Sequence, residues 1–229
     1  MIFYNIVICL DAGYLRGTYL FFIICIMAEK TLQNIHEIAT VEFLEKGFRG
    51  ASLREIVRKA GVTTGSFYGY YKSKEELFSA LVKPHADYVA EYFNGLIERF
   101  RALPKKDWAS QMYDFSAAGM AHIYEYAYSH RDAFRLILNA SEGTEFEHFI
   151  HHIVELEISV TRQFYREIEA EGYKPFSFDP ILEHMIISGE FSAFFELIVH
   201  DIPKDEGQRC VKELHGFYQA AWASVLKIR

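Results

Sequence analysis

The chain has 229 residues, 51% hydrophobic and 24% charged, with a formal net charge of −7. That length and composition admit one large domain, or a small one joined to a medium one, and give no global sign of nucleic-acid binding. Three cysteines, Cys9, Cys25 and Cys210, occur without paired spacing, which argues against a disulfide framework and a cysteine metal site and suits a reducing cytosol.

Residues 1–27 are nearly all apolar, broken by Asp11 and Arg16 into two runs of about ten residues each, too short to span a bilayer. A signal-anchor built on Arg16 and the second run is one reading. The other takes Met27, opening "MAEKTLQNI", as an ordinary cytosolic start, with an upstream extension that is a mis-assigned start. Helical periodicity is expected from Thr31. Ile35, Ile38, Ala39 and Phe43 form one apolar stripe, with Glu37, Glu42 and Glu45 elsewhere on the surface. Gly47 suits a left-handed helix end, and Phe48 folds back on the last turn. Ser52 and Glu55 have capping-box spacing for a second helix, buried through Leu53, Ile56, Val57 and Ala60. Gly61 ends it, and Thr63 caps a third helix two residues later. Three short helices with a glycine between the second and third predict a helix-turn-helix.

Ser73 caps the next helix, which Pro84 breaks or kinks before the pattern resumes through Phe100. Further helices are expected from Asp107 to Ser129, Asp132 to Asn139 and Thr144 to Glu171, with a stop at Gly172. Asp179–Pro180 starts another ending near His200, and Asp205 to Lys227 forms the last. The fold class is all-α. Residues 28–83 carry slightly more bases than acids, whereas 84–229 are strongly acidic. That balance fits a small anion-binding head on a body with another task.

The segment "GVTTGSFYGYYKSKEEL", residues 61–77, is too glycine-rich for an ordinary helix and too aromatic for an ordinary loop. A helix-turn-helix lays its second helix in the DNA major groove, so small residues there let the backbone approach base edges. Thr63, Thr64, Gly65 and Ser66 meet that need, with hydroxyls for bases or phosphates. Phe67 and Tyr71, four apart, face inward as anchors, and Tyr68 and Tyr70 point outward toward phosphate. Lys74 adds a positive charge beside a helix start. Arg58 and Lys59 are read as solvated surface charge at least as readily as DNA contacts.

The run "GFRGASLREIVRKAGVTTGSFYGYYKSKEELF" resembles the DNA-binding domain of the TetR family of bacterial transcription regulators, over about residues 31–80. The resemblance implies that Arg54 and Thr64 touch bases and that Ser52, Ser66, Tyr68, Tyr70 and Lys74 hold phosphate. Gly69 departs from the bulky aromatic that many members carry there. It also implies a homodimer, a double-stranded DNA operator with inverted repeats, and a small-molecule effector that releases a repressor from it. The expected organisation is a helix-turn-helix over 28–74 followed by an effector-binding and dimerisation domain over 75–229, in a cytoplasmic protein.

In the body, Tyr88, Tyr92, Phe93, Met112, Phe115, Met120, Tyr124, Tyr128 and Phe134 are candidates to line a cavity for a hydrophobic or aromatic effector; plain core packing is the alternative for each. His148, His151 and His152 in "HFIHHIVELE" offer two i, i+4 pairs, His148 with His152 and His151 with Glu155. They support a metal-responsive alternative, although two ligands from one helix do not complete a site. A third alternative is a DNA-bound factor whose body contacts another protein. No Ser-His-Asp arrangement, glycine-rich phosphate loop or paired-carboxylate pattern supports catalysis, and no cofactor or catalytic residue is implied. The last two helices carry apolar faces, Ile187, Phe191, Phe194, Phe195 and Ile198 in one and Val211, Leu214, Phe217, Tyr218, Ala221 and Val225 in the other. These are expected to pair with a second copy as a four-helix bundle.

Overall fold

The computed structural model describes residues 15–170 and 179–226, apart from the side chains of 15–22, 24, 109, 168, 223, 225 and 226. Nine α-helices follow one another among these residues: α1 (Leu15–Gly50), α2 (Leu53–Lys59), α3 (Thr64–Tyr68), α4 (Lys74–Arg101), α5 (Trp108–Ser129), α6 (Arg131–Asn139), α7 (Phe149–Ala170), α8 (Pro180–Val199) and α9 (Lys204–Leu226). A single 3-10 turn, Lys105–Asp107, precedes α5. The predicted stops at Gly172 and Lys227 lie outside the described residues. The first helix starts at Leu15 rather than near Thr31, and none of the described helices is long and apolar enough to cross a membrane.

The caps fall where hydroxyls and carboxylates accept orphan N–H groups. Ser52 accepts from Glu55 N at 3.4 Å, Thr63 from Ser66 N at 3.0 Å and Ser73 from Glu76 N at 3.1 Å. Asp179 accepts from Ile181 N and Leu182 N, ahead of Pro180 in the first helical position. Gly47 has φ 68 and ψ 167, a positive φ that breaks α1 just before its last turn. Phe48 stacks on Phe43 across that break, with ring centroids 6.0 Å apart.

The capping box at the start of α2 forms only in half. Glu55 turns to Arg58 at 2.7 Å, and the Ser52 N–H instead donates to Glu42 Oε1 at 3.4 Å. This corrects the placing of Glu42 on the surface: it is fully buried. Its spacing of seven from Ile35 and three from Ala39 puts it on the same stripe as those apolar residues, and its charge is answered by Lys46 at 2.5 Å and Lys59 at 2.9 Å.

α4 is one uninterrupted helix with Pro84 inside it, so the proline does not separate two helices. Phe78 on α4 meets Phe43 and Phe48 from the head and Phe146 from the body. One hydrophobic core therefore runs from Ile35 to Val211. In the body α7 packs on α8 and α5 on α9, while α6 contacts α1, α4 and α8.

The lysine hydrogen bonds to Glu42 hold its carboxyl at a pKa of about 2, below the ordinary 4.5. A depressed carboxyl stabilises the fold above its ordinary pKa and loses that contribution as pH falls through the folded value. Glu42→Gln is expected to destabilise the fold by about 1–3 kcal/mol at neutral pH. In denaturant unfolding, the gap between variant and parent should narrow as pH falls from 6 toward 3.

Candidate nucleic-acid interface and internal cavity

The short α3 presents a two-sided surface. Phe67 is fully buried and Tyr71 is 9% exposed, anchoring the helix to the head as their spacing predicts. Thr63, Thr64, Gly65 and Ser66 are all exposed on the other side, and Tyr68 is 53% exposed. Gly61, with φ 66, makes the turn between α2 and α3. Asn34 on α1 donates to the Ala60 carbonyl at 2.8 Å, fixing the end of α2. On α2, Arg54 is exposed and makes no ion pair or hydrogen bond among the described residues. Arg58 pairs with Glu55 and Lys59 with Glu42, so both neighbouring bases serve the fold.

Three expected phosphate contacts are engaged within the fold. Lys74 Nζ donates to the carbonyls of Phe48 at 2.7 Å and Ala51 at 3.1 Å, and sits 4.5 Å from the Phe48 ring centroid. It thus satisfies orphan carbonyls at the end of α1. Tyr70 is half-buried and donates to the Ala28 carbonyl at 3.3 Å, so it does not point freely outward. Ser52 is half-buried, its hydroxyl occupied as a cap. Sequence reasoning passed over Lys72, which is exposed and whose ammonium has no partner among the described residues. Its signal lay in the position itself, between the aromatic anchors and the Ser73 cap.

The body encloses a cavity of about 230 Å³ between α4, α5, α7, α8 and α9. Phe93, Met112, Phe115 and Met120 line it as expected. Tyr124 and Phe134 do not: both are fully buried in the core. Tyr88 and Tyr92 stack instead with Tyr126 and His122, and Tyr128 lies beneath the Arg131 guanidinium. The α8 part of the face expected to bind a second chain is internal. Ile187 and Phe191 border the cavity, and Phe194, Phe195 and Ile198 are buried within the protomer. Tyr218 is half-buried, Phe217 and Ala221 are exposed, and the Val225 side chain lies outside the described residues.

The polar groups of the cavity were not anticipated. Burial pushes the carboxyls of Glu157 and Glu190 up to about 7, and that of Glu190 is raised further by Glu157. Thr161 bonds Glu157 at 3.3 Å, and burial raises the Tyr165 phenol to about 12. His215 is 2% exposed and burial lowers its pKa. These residues are scattered over three helices, so no local spacing announces them.

The histidines divide differently from the sequence reading. His151 and Glu155 on α7 and His184 on α8 bring their ligand atoms within 4.8 Å of one another; His148 and His152 take no part. The His184 and His151 nitrogens lie 3.4 Å apart. All three side chains are exposed or half-exposed, a geometry open to a metal without requiring one.

Residues 35–81 match the family model for bacterial regulatory proteins of the tetR family. Over 55 residues the chain is 42% identical to the Tn10 TetC protein of Escherichia coli, covering 24% of this chain and 28% of that protein. Over 54 residues it is 41% identical to the transcriptional regulator AcrR of Shigella flexneri, covering 24% and 25%. The chain thus matches only about a quarter of these relatives' length. In overall fold it is similar to a TetR-family regulator from Syntrophomonas wolfei (18% identity, TM-score 0.53, covering 88% of this chain and 99% of that one). It is likewise similar to the fatty acid degradation regulator FadR of Bacillus halodurans (15% identity, TM-score 0.52, covering 82% and 94%). The helix-turn-helix head thus matches the model of the tetR family's DNA-binding region, and the head and all-helical body together have the fold of a TetR-family structure.

Proposed function

We propose that the protein is a homodimeric, ligand-responsive transcription repressor that acts in the cytoplasm. The observation that carries this is the exposed, hydroxyl-bearing start of α3 beside the unpaired Arg54, on a head that shares one core with a cavity-bearing body. Thr64, Gly65, Ser66 and Arg54 approach base edges. Thr63, Tyr68 and Lys72 meet the backbone phosphates, with Lys72 in the place first assigned to Lys74. The head corresponds to residues 28–74 and the effector and dimer region to 75–229. A dimer presents two reading helices about one helical turn (~34–36 Å) apart, so footprinting should protect an inverted repeat.

Arg54→Ala should cost about 1–3 kcal/mol on the preferred operator and relax base choice at one position in each half-site. Lys72→Ala should weaken all sequences alike and lower the salt slope by about one phosphate. Electrophoretic mobility shifts on operator and scrambled duplexes at several salt concentrations separate the two effects.

Ligand entering the cavity favours a dimer whose reading helices no longer fit successive grooves. A Cβ at Gly119 would lie 2.3 Å from Leu96 Cδ2, and both residues border the cavity. Gly119→Leu should therefore fill the cavity, abolish release by effector and leave effector-free operator binding within about threefold of the parent. Induction of a reporter driven by the operator is the measurement.

The dimer surface is built from what α8 and α9 leave exposed: Ile181, Leu182 and Met185 on one and Phe217 on the other. Phe217→Glu should shift the protein to monomer in light scattering at micromolar concentration while preserving its helical circular dichroism.

A further inference from the structure

The cavity's polar groups define what it receives, on the premise that it is the effector site. Seven hydrogen-bonding or charged side chains matter most: Glu157, Thr161, Tyr165, Glu190, His215, Ser116 and Arg101 all line it. Ser116 Oγ lies 2.9 Å from the Met112 carbonyl, 3.1 Å from the Tyr113 carbonyl and 2.8 Å from His215 Nε2, and it accepts from Gln219 Nε2 at 3.4 Å. The His215 Nδ1 atom is buried and has no hydrogen-bond partner. A buried ring nitrogen without a partner is costly in either tautomer, and His215 lines the cavity.

The two carboxyls point the same way. Glu157 and Glu190 come from different helices, and no lysine or arginine pairs with either among the described residues. Their polar partners are the Thr161 hydroxyl and the Trp222 side chain respectively. The cation nearest to contradicting this pattern is Arg101, whose Nη2 makes no hydrogen bond. It closes the C-terminal turn of α4 and lies 3.8 Å from the Glu167 carboxylate, so its charge is already offset at the edge. Around these groups stand the rings of Phe93, Phe100, Phe115, Phe164, Phe191 and Trp222. Aromatic faces attract cations, and a desolvated carboxylate attracts them more strongly.

We propose that the cavity takes a compact lipophilic amine in its protonated form, its ammonium drawn to Glu157 and Glu190 and its hydrocarbon held among the aromatic rings. An anionic effector meets two acidic side chains. A neutral hydrocarbon leaves both unanswered. Burial, together with the neighbouring Glu157 carboxylate in the case of Glu190, raises both carboxyls to about 7, and an arriving ammonium favours their ionised form and displaces protons to buffer.

Three probes of one shape test this: 4-phenylbutylamine, 4-phenylbutan-1-ol and 4-phenylbutyrate, titrated calorimetrically into the intact protein and then added to the operator complex. The amine should bind at least about tenfold more tightly than the alcohol, release protons in buffers of different ionisation heat, and free the operator. The carboxylate should bind more weakly than either. In Glu157→Gln/Glu190→Gln the amine should lose its advantage while the alcohol binds as before, which also shows that the cavity is intact. An alcohol or carboxylate that matches the amine and still frees the operator would overturn the cationic assignment and leave the effector site standing. Failure of all three to bind would overturn both.

Discussion

Everything the head does depends on one carboxylate in the wrong-looking place. Glu42 sits in the apolar stripe of α1 and reaches the first N–H ahead of α2 and the lysine in its last turn. A helix of seven residues has too few internal hydrogen bonds to hold its own direction. Tied at both ends to a buried charge, α2 becomes a fixed beam, and α3 inherits its placement through the tight turn at Gly61. An ion pair of this kind contributes position more than net stability, because desolvating the carboxylate cancels much of the attraction. The C-terminal end of α1, about a turn and a half beyond Glu42, is fixed by the same kind of chemistry with the sign reversed, where the Lys74 ammonium gathers carbonyls.

The head and the body use charge in contrasting ways. In the head each buried charge has its counterion within the chain, and the cationic groups left over face outward. In the body two half-buried acidic side chains line the cavity, with no lysine or arginine paired to them among the described residues. Such a pair is eased by protonation or by a positive charge arriving from outside. The aromatic lining adds a surface that welcomes charge without supplying any.

The sequence made the helix-turn-helix plain because its signals are local. Ser52, Thr63 and Ser73 act as caps wherever they stand, Gly61 needs its positive φ, and Phe67 with Tyr71 shows a four-residue spacing. Helix order through the body followed from the same period. What failed was long-range. Glu42 was read as surface because it is charged, although its position on the wheel put it inside. Lys74 looked free because the carbonyls it binds belong to residues more than twenty positions earlier. Phe194 and Phe195 looked like an interface because an apolar face does not say whether its cover is the same chain or another. The cavity residues Glu157, Glu190 and His215 meet only in space, and no spacing in one dimension could assemble them.

The joint between head and body has two supports rather than one. α4 runs unbroken between them, and beside it the Phe48 N–H donates to the Ala140 carbonyl at 2.8 Å while Arg49 pairs with Glu142. The strut has a soft place: Pro84 has no N–H to return to the preceding turn. A strut that can flex, standing next to a pinned contact, behaves as a linkage and not as a ball joint. A shift at the end of α6 is thus passed to the last turn of α1 through Phe48 and Arg49, beside the path along α4.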